Sequence, residues 1–403
     1  MAQRPRTPPR EKKAPRNFLR ATSESGRVTN IELFFDLVYV FAVTQLSQQL
    51  VNHPSASGAG RVAVLLGMVW VVWMYTSWVT NWFDPERIAV RAMLVALMLA
   101  SLVMSASLPL AFGARGLAVG VAYAVMQIGR TLFCLLGLGG SPLLRNFQRI
   151  LVWCVASGVF AVWGGLVASP GLRELLWILA IGTDLLGGAV GFWAPRLGRT
   201  ATTEWTISGG HLAERCQAFL LIALGESIVV IGERLSGFAT VSFADVAAFA
   251  LTFVGCVGLW WIYFDRSAEG AAKVIAASDD PGRLGRSAYH FIHPVMVAGI
   301  IVTAAGDEEV LSHPLRGATT ATVWLVLGGT ALFLAGHALF KWVVWRHWPW
   351  TRVGAVVALG IIGVVAGGAP AWVLGALSLT VIVAVVVGDW VLAPALNPEA
   401  AAA

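Results

Sequence analysis

Between residues 31 and 393 the chain is a succession of apolar runs, each about 20 residues long, parted by short polar stretches. A lipid core about 30 Å thick needs about 20 helical residues at 1.5 Å each. Inside lipid only a helix or a closed barrel satisfies its own backbone polar groups. Runs of this length therefore predict an all-α, polytopic membrane bundle. Scanning at that length gives twelve candidate spans, the first six at about 31–51, 61–81, 88–109, 115–138, 147–168 and 172–194. The second six fall at about 214–235, 243–264, 286–305, 318–340, 352–369 and 371–393.

Composition agrees: 57% of the 403 residues are hydrophobic and 12% charged, with a mean hydropathy of +0.74. Soluble domains carry about 25% charge, so this chain cannot cover a water-facing surface. A soluble enzyme is excluded, and a nucleic-acid partner is not expected despite the formal charge of +6. That whole excess sits in residues 1–27, which hold eight basic residues against Glu11 and Glu24. This Pro-, Arg- and Lys-rich stretch reads as a disordered cytoplasmic tail that anchors orientation. No cleavable signal is expected, because the next segment is a full span with no small-residue cleavage site. Cys134, Cys154, Cys216 and Cys256 lie in or beside apolar runs without a CxxC spacing, and read as membrane-buried thiols.

Twelve spans with the N-terminus inside place 22 basic residues on the inner side and five (Arg61, Arg115, Arg173, Arg234, Arg316) on the outer. This is the asymmetry that the positive-inside rule requires, so both termini are expected in the cytoplasm. The chain then divides into a tail (1–27), a first six-helix unit (28–195), a cytoplasmic linker (196–213), a second six-helix unit (214–393) and a short C-terminal tail (394–403).

The two units share landmarks. Trp82-Phe83-Asp84 and Tyr263-Phe264-Asp265 are 181 apart, and Glu32 and Glu214 are 182 apart. Arg130 in Gly129–Phe133 and His337 in Gly336–Phe340 are 207 apart; Asp184 and Asp389 are 205 apart. One insertion over 266–285 accounts for the step in offset. A six-plus-six duplication follows as an expectation, with halves related by an axis along the membrane normal, as in transporters built of parallel repeats.

Ionisable groups at lipid depth cost about 2.5–3.5 kcal/mol each on insertion scales, so they need partners, water or a function. Glu32 and Asp36 are four apart and share one face of the first span. They suit either a transport site or a helix cap and ion pair. Glu226, with Arg215 on the same stripe of the seventh span, is placed near mid-depth and is the strongest candidate for a proton or cation site. Gly225 beside it is expected to permit close helix approach or a local distortion. At an offset of 182 from Glu226 stands Thr44, followed by Gln45. His290 and His293 open the ninth span with Pro294, which removes a backbone bond and loosens that turn. They suit proton relay, or else face the interface as polar side chains. Asp307, Glu308 and Glu309 read as a solvated outer rim. Arg130, Asp184, His337 and Asp389 read as structural groups, Asp184 being the partner expected for Arg130. Glu214 and Asp265 complete the candidates. No catalytic, nucleotide-binding or metal motif is present, and neither cofactor nor metal is expected.

The segment Thr29-Asn30-Ile31-Glu32-Leu33-Phe34-Phe35-Asp36-Leu37-Val38-Tyr39-Val40-Phe41-Ala42 strongly resembles the signature that opens the low-temperature-requirement A (LtrA) family. Glu214-Arg215 with Leu224-Gly225-Glu226-Ser227, then Trp260–Asp265, then Tyr289–His293 with Gly299-Ile300 and Ala305-Gly306, are similar to later family landmarks. Cys216-Gln217 depart from the apolar or aromatic residues usual after the Glu-Arg pair. The resemblance covers about 28–393 and implies a bacterial multi-pass cytoplasmic-membrane protein linked by name to growth in the cold, with no substrate attached. Three functions compete: a secondary transporter of a small solute or cation, a non-transporting membrane factor supporting growth at low temperature, and an intramembrane enzyme acting on a lipid-linked substrate. The first is the leading expectation, with no enzymatic activity.

Overall fold

The computed structural model describes residues 18–20, 27–200, 208–236 and 242–396, and every regular element among them is helical. We number the helices α1 (Asn30–Asn52), α2 (Ala56–Trp82), α3 (Ile88–Leu110), α4 (Gly116–Gly137), α5 (Leu144–Leu166), α6 (Pro170–Ala189) and α7 (Gly209–Ser236). They continue with α8 (Phe243–Phe264), a short α9 (Ser267–Ala276), α10 (Pro281–Ser312), α11 (Thr320–Trp345), α12 (Trp350–Val365) and α13 (Ala371–Leu396).

Among the described residues, twelve helices of 16 residues or more thus stand where twelve spans are expected. Among the described residues, nine are long and apolar enough to cross a membrane by length and composition. The other three fall short for identifiable reasons. Helix α6 carries Arg173, Glu174 and Asp184, α7 carries five charges, and α12 has only 16 residues. Of their charged groups, Arg173, Asp184, Arg215, Glu226 and Arg352 are buried, whereas Glu214, Glu233 and Arg234 on α7 are exposed.

Polar residues mark the helix starts. Ser55 accepts from the Gly58 amide at 3.1 Å and opens α2. Ser242 and Asp245 cap α8 reciprocally, and Thr319 accepts from the Thr322 amide at 3.1 Å to open α11. Such caps satisfy amides that a helix start leaves without partners.

The same neighbour pattern occurs in each half. In the first, α1 packs on α2 and α3, α4 on α3 and α5, and α6 on α5 and α2. In the second, α7 packs on α8 and α10, α11 on α10 and α12, and α13 on α12 and α8. Between halves, α1 and α2 pack on α7 and α10. The α10–α11 contact is backbone-close: a methyl group on Gly299 would lie 2.4 Å from the Phe333 nitrogen, and one on Gly329 would lie 2.5 Å from that of Thr303. Small residues at such crossings let dispersion act over a long interface where lipid offers no hydrophobic drive.

Two helices contain π turns, Val125–Gly129 in α4 and Arg286–Ile292 in α10. The second has a legible cause. Pro294 has no amide to return to the carbonyl of His290 four residues earlier, and the Trp70 indole donates to that carbonyl at 2.9 Å instead.

Part of the N-terminal tail departs from its expected disorder. Leu19 forms a bridge with Phe83, and the Arg20 amide donates to the Trp82 carbonyl at 2.8 Å. Residues 1–17 and 21–26 lie outside the described residues, as do most of the linker's central positions (201–207) and the last seven of the C-terminal tail.

Candidate functional site: a polar seam between α1 and α7

Helix α7 starts at Gly209 rather than near 214, so part of the expected linker is helical. That extra turn carries His211 into the site. At this end of the seam, Arg215 spans both acids of α1. Its Nη2 and Nε donate to Asp36 at 2.6 and 3.1 Å, and its Nη1 donates to Glu32 at 3.1 Å. The arrangement follows from the four-residue spacing, which stacks the two carboxylates on one helix face. A planar guanidinium then engages both at once.

Further donors complete the cluster. Trp73 Nε1 donates to Asp36 at 2.7 Å, and Arg20 donates to Glu32 at 3.2 Å. Asn81 Nδ2 lies 3.2 Å from His211 Nδ1, which directs an Nε2 proton toward Glu32 at 2.8 Å. Glu32 also caps α1, accepting the Thr29 amide at 2.9 Å. Two carboxylates face two guanidiniums and an imidazole, with Glu32, Asp36, Arg215 and His211 all buried. The tail, α1, α2 and α7 are tied at this one point. Both structural alternatives for Glu32, cap and ion pair, are realised.

One turn further along α7, Phe219 fills the seam. Its ring centroid lies 4.5 Å from Trp73, 5.3 Å from Trp70 and 6.0 Å from Tyr39. Beyond this aromatic layer, Glu226 Oε2 accepts from the Thr44 hydroxyl at 2.5 Å. Its other oxygen is buried without a hydrogen-bond partner. Asp36 and Glu226 therefore lie on one seam but in separate environments, rather than in one shared region. Gln45, next to Thr44, is half-buried. Gly225 is no close-approach site, since nothing lies within 4 Å of a methyl group placed on it.

Glu308 corrects the expectation of a solvated rim. It is buried, pairs with Arg234, and accepts from Gln48 Nε2 at 3.1 Å. Thr44 and Gln48 of α1, Glu226 and Arg234 of α7 and Glu308 of α10 thus form a second polar group at the other end of the seam.

The remaining candidates are distributed elsewhere. His290 and His293 are buried, not interface-facing. His293 Nε2 contacts the Cys216 carbonyl at 3.1 Å within a cage of Trp70, Tyr263 and Tyr289. Glu214 accepts the Val28 amide at 3.1 Å at the seam's rim, and Asp265 pairs with Arg266 at 3.5 Å. Arg130 does not pair directly with Asp184. Gln127 stands between, donating to Asp184 at 2.6 Å and accepting from Arg130 at 2.5 Å, while Tyr123 donates to the same carboxylate at 2.5 Å. In the second half, Arg352 pairs with Asp389 through both nitrogens and contacts His337 Nδ1 at 3.4 Å.

Sequence reasoning does not single out His211, Arg20 or Arg352, and names Glu308 only as part of a solvated rim. Only His211 carried a signal, sitting one turn before Arg215 on its face. All four cysteines are free and buried. No group of three or more His, Cys, Asp or Glu is arranged to hold a metal among the described residues.

The buried seam is built from the very segments that carry the LtrA resemblance, and residues 27–387 match the family model described as "Bacterial low temperature requirement A protein (LtrA)". The chain belongs to the LtrA family. It is 38% identical over 331 residues to the uncharacterized protein RA0937 of Rhizobium meliloti (strain 1021), covering 81% of this chain and 80% of that one. No solved structure matches it. Membership makes this LtrA-family chain a membrane protein, and its mechanism has to come from the seam.

Proposed function

We propose that this LtrA-family protein is a secondary transporter or ion-translocating protein, without enzymatic activity, in the bacterial cytoplasmic membrane. It has two six-helix halves related by duplication and both termini in the cytoplasm. The matched neighbour patterns of the two halves and the basic asymmetry of the loops support this architecture. The observation that carries the function is Glu226: a buried carboxylate on the seam between halves, with one oxygen unpartnered and no ion pair among the described residues. A lone buried carboxylate is costly unless it takes up a proton or a small cation. Binding at Glu226 is therefore linked to how the seam is packed.

The Arg215 cluster closes the seam at one end, and Phe219 with Trp70, Trp73 and Tyr39 closes the middle. Opening toward the basic end requires Arg215 to leave Asp36, whereas opening at the far end requires Arg234 to leave Glu308. Each gate is a discrete ion pair, which suits two alternating states. Reconstituted vesicles with an internal pH dye, under imposed proton, Na⁺ and K⁺ gradients and a panel of small metabolites, test the reading. Flux above protein-free vesicles that is lost in Glu226→Gln supports it. Flux equal to the background across the whole panel removes it.

A second reading has its own support. The saturation of Glu32, Asp36, Arg215 and His211 also suits a permanently locked bundle, a non-transporting factor that supports growth in the cold. Wild-type cold growth by Glu226→Gln, alongside loss of folded protein in Arg215→Met, favours that reading.

A further inference from the structure

Apart from the seam, a cleft lies at the basic end between α2, α4, α5, α6 and the start of α10. Its volume is about 70 Å³, several times the roughly 10–15 Å³ that one buried water requires. One wall is aromatic, with Trp78, Trp82 and Phe147. The other brings together Arg130, Arg286 and His290, and no carboxylate lines the cleft among the described residues.

The two π turns build the polar wall, one from each half. The turn in α4 ends at Gly129, presenting Arg130, and the turn in α10 spans Arg286 to Ile292 and includes His290. Single π turns concentrate at functional sites because they re-aim side chains without ending the helix. Arg130 is 1% exposed and His290 4%. Arg130 Nε and His290 Nε2 are nonetheless buried without hydrogen-bond partners. Asp184, the acid expected to pair with Arg130, is held by Gln127 and Tyr123 instead. Arg286 donates to the Gly188 carbonyl at 2.7 Å, and neither arginine is in an ion pair among the described residues. The buried Arg130 Nε–H lacks an acceptor, which is costly, and an anion supplies one with a charge-assisted bond, His290 adding a second donor in the tautomer that carries its proton on Nε2.

We propose that this cleft binds an anionic amphiphile, its phosphate or carboxylate on Arg130, Arg286 and His290 and its apolar part against Trp78, Trp82 and Phe147. The anion comes either from a lipid headgroup or from a soluble aromatic anion. The site is separate from Glu226, so its failure leaves the transport reading standing.

The test uses delipidated full-length protein in detergent and follows the thermal unfolding midpoint during titration. The probes are phosphatidylglycerol and phenyl phosphate, with phosphatidylcholine and phenol as their counterparts without net charge. An anionic probe is expected to stabilise the protein with affinity at least about tenfold better than its counterpart. Arg286→Gln, which removes charge, and Ile150→Trp, which fills the cleft, are each expected to weaken it by about tenfold. A response to phosphatidylglycerol alone makes the site a lipid site, and a response to phenyl phosphate alone makes it a solute site. No stabilisation by either anion overturns the proposal. So does equal stabilisation by the uncharged counterparts, or wild-type response in both variants.

Discussion

The hydroxyl of Thr44 donates to the carboxylate of Glu226 at 2.5 Å although the residues are 182 apart in the chain. That is also the offset between Glu32 and Glu214. Under the proposed duplication these two positions are in register, and they meet where α1 packs on α7. The proposed two-fold axis along the membrane normal would bring such a pair together at its centre. The contact also places a buried carboxylate, in no ion pair among the described residues, where α1 packs on α7.

Replacing Glu226 should separate function from folding. Glu226→Gln keeps the size and the Thr44 contact, so folded yield should match wild type. Proton-coupled or cation flux should fall at least about tenfold, the loss expected when a group that changes charge during a cycle no longer can. Liposome flux and size-exclusion profiles read the two effects independently. Wild-type flux in the Gln variant would make the residue structural.

Arg215 is expected to matter first for stability. Removing one partner from a buried ionic cluster costs about 3–5 kcal/mol, because the other charge is left without compensation. Arg215→Met should lower the thermal midpoint sharply in detergent, and adding Asp36→Leu should restore part of it. Strict additivity of the two substitutions would show that the pair is not coupled.

Two glycines should respond in opposite directions. Gly299→Ala forces a methyl group against the Phe333 backbone on α11 and should destabilise by about 1–3 kcal/mol through overpacking. Gly225→Ala meets nothing within 4 Å and should gain up to about 1 kcal/mol of helix propensity. Thermal midpoints of the pair in one detergent decide the matter, and equal loss at both sites would contradict the packing described for α10 and α11.

Topology is checked by labelling. Ser57 lies in the first turn of α2 and Asp279 follows α9, and the N-inside arrangement puts them on opposite faces. With the four native cysteines buried, Ser57→Cys should react with an impermeant maleimide on intact cells, and Asp279→Cys only after lysis. Reaction of both on intact cells would be incompatible with twelve crossings.

What the chain determines by itself is local. A 20-residue apolar run is a helix in lipid whatever surrounds it, because its backbone has no other partner there. Twelve helix positions, the family signature and the loosened turn at Pro294 were therefore legible without a structure. The Glu32–Asp36 spacing likewise dictated a shared face. Pairing across helices was not legible, since it depends on side chains brought together by packing. Only the tertiary structure could show that Glu308 is buried with Gln48 and Arg234 rather than solvated. The same holds for Gln127, which separates Arg130 from Asp184, and for His211, which joins Glu32 once α7 begins a turn early. It also decided that Asp36 and Glu226 are kept apart, because the Phe219, Trp70, Trp73 and Tyr39 rings converge from three helices. A carboxylate's role in lipid is set by what lies within about 3 Å of it, and for Glu32, Asp36 and Glu226 the partners across the seam lie about 180 positions away in the chain.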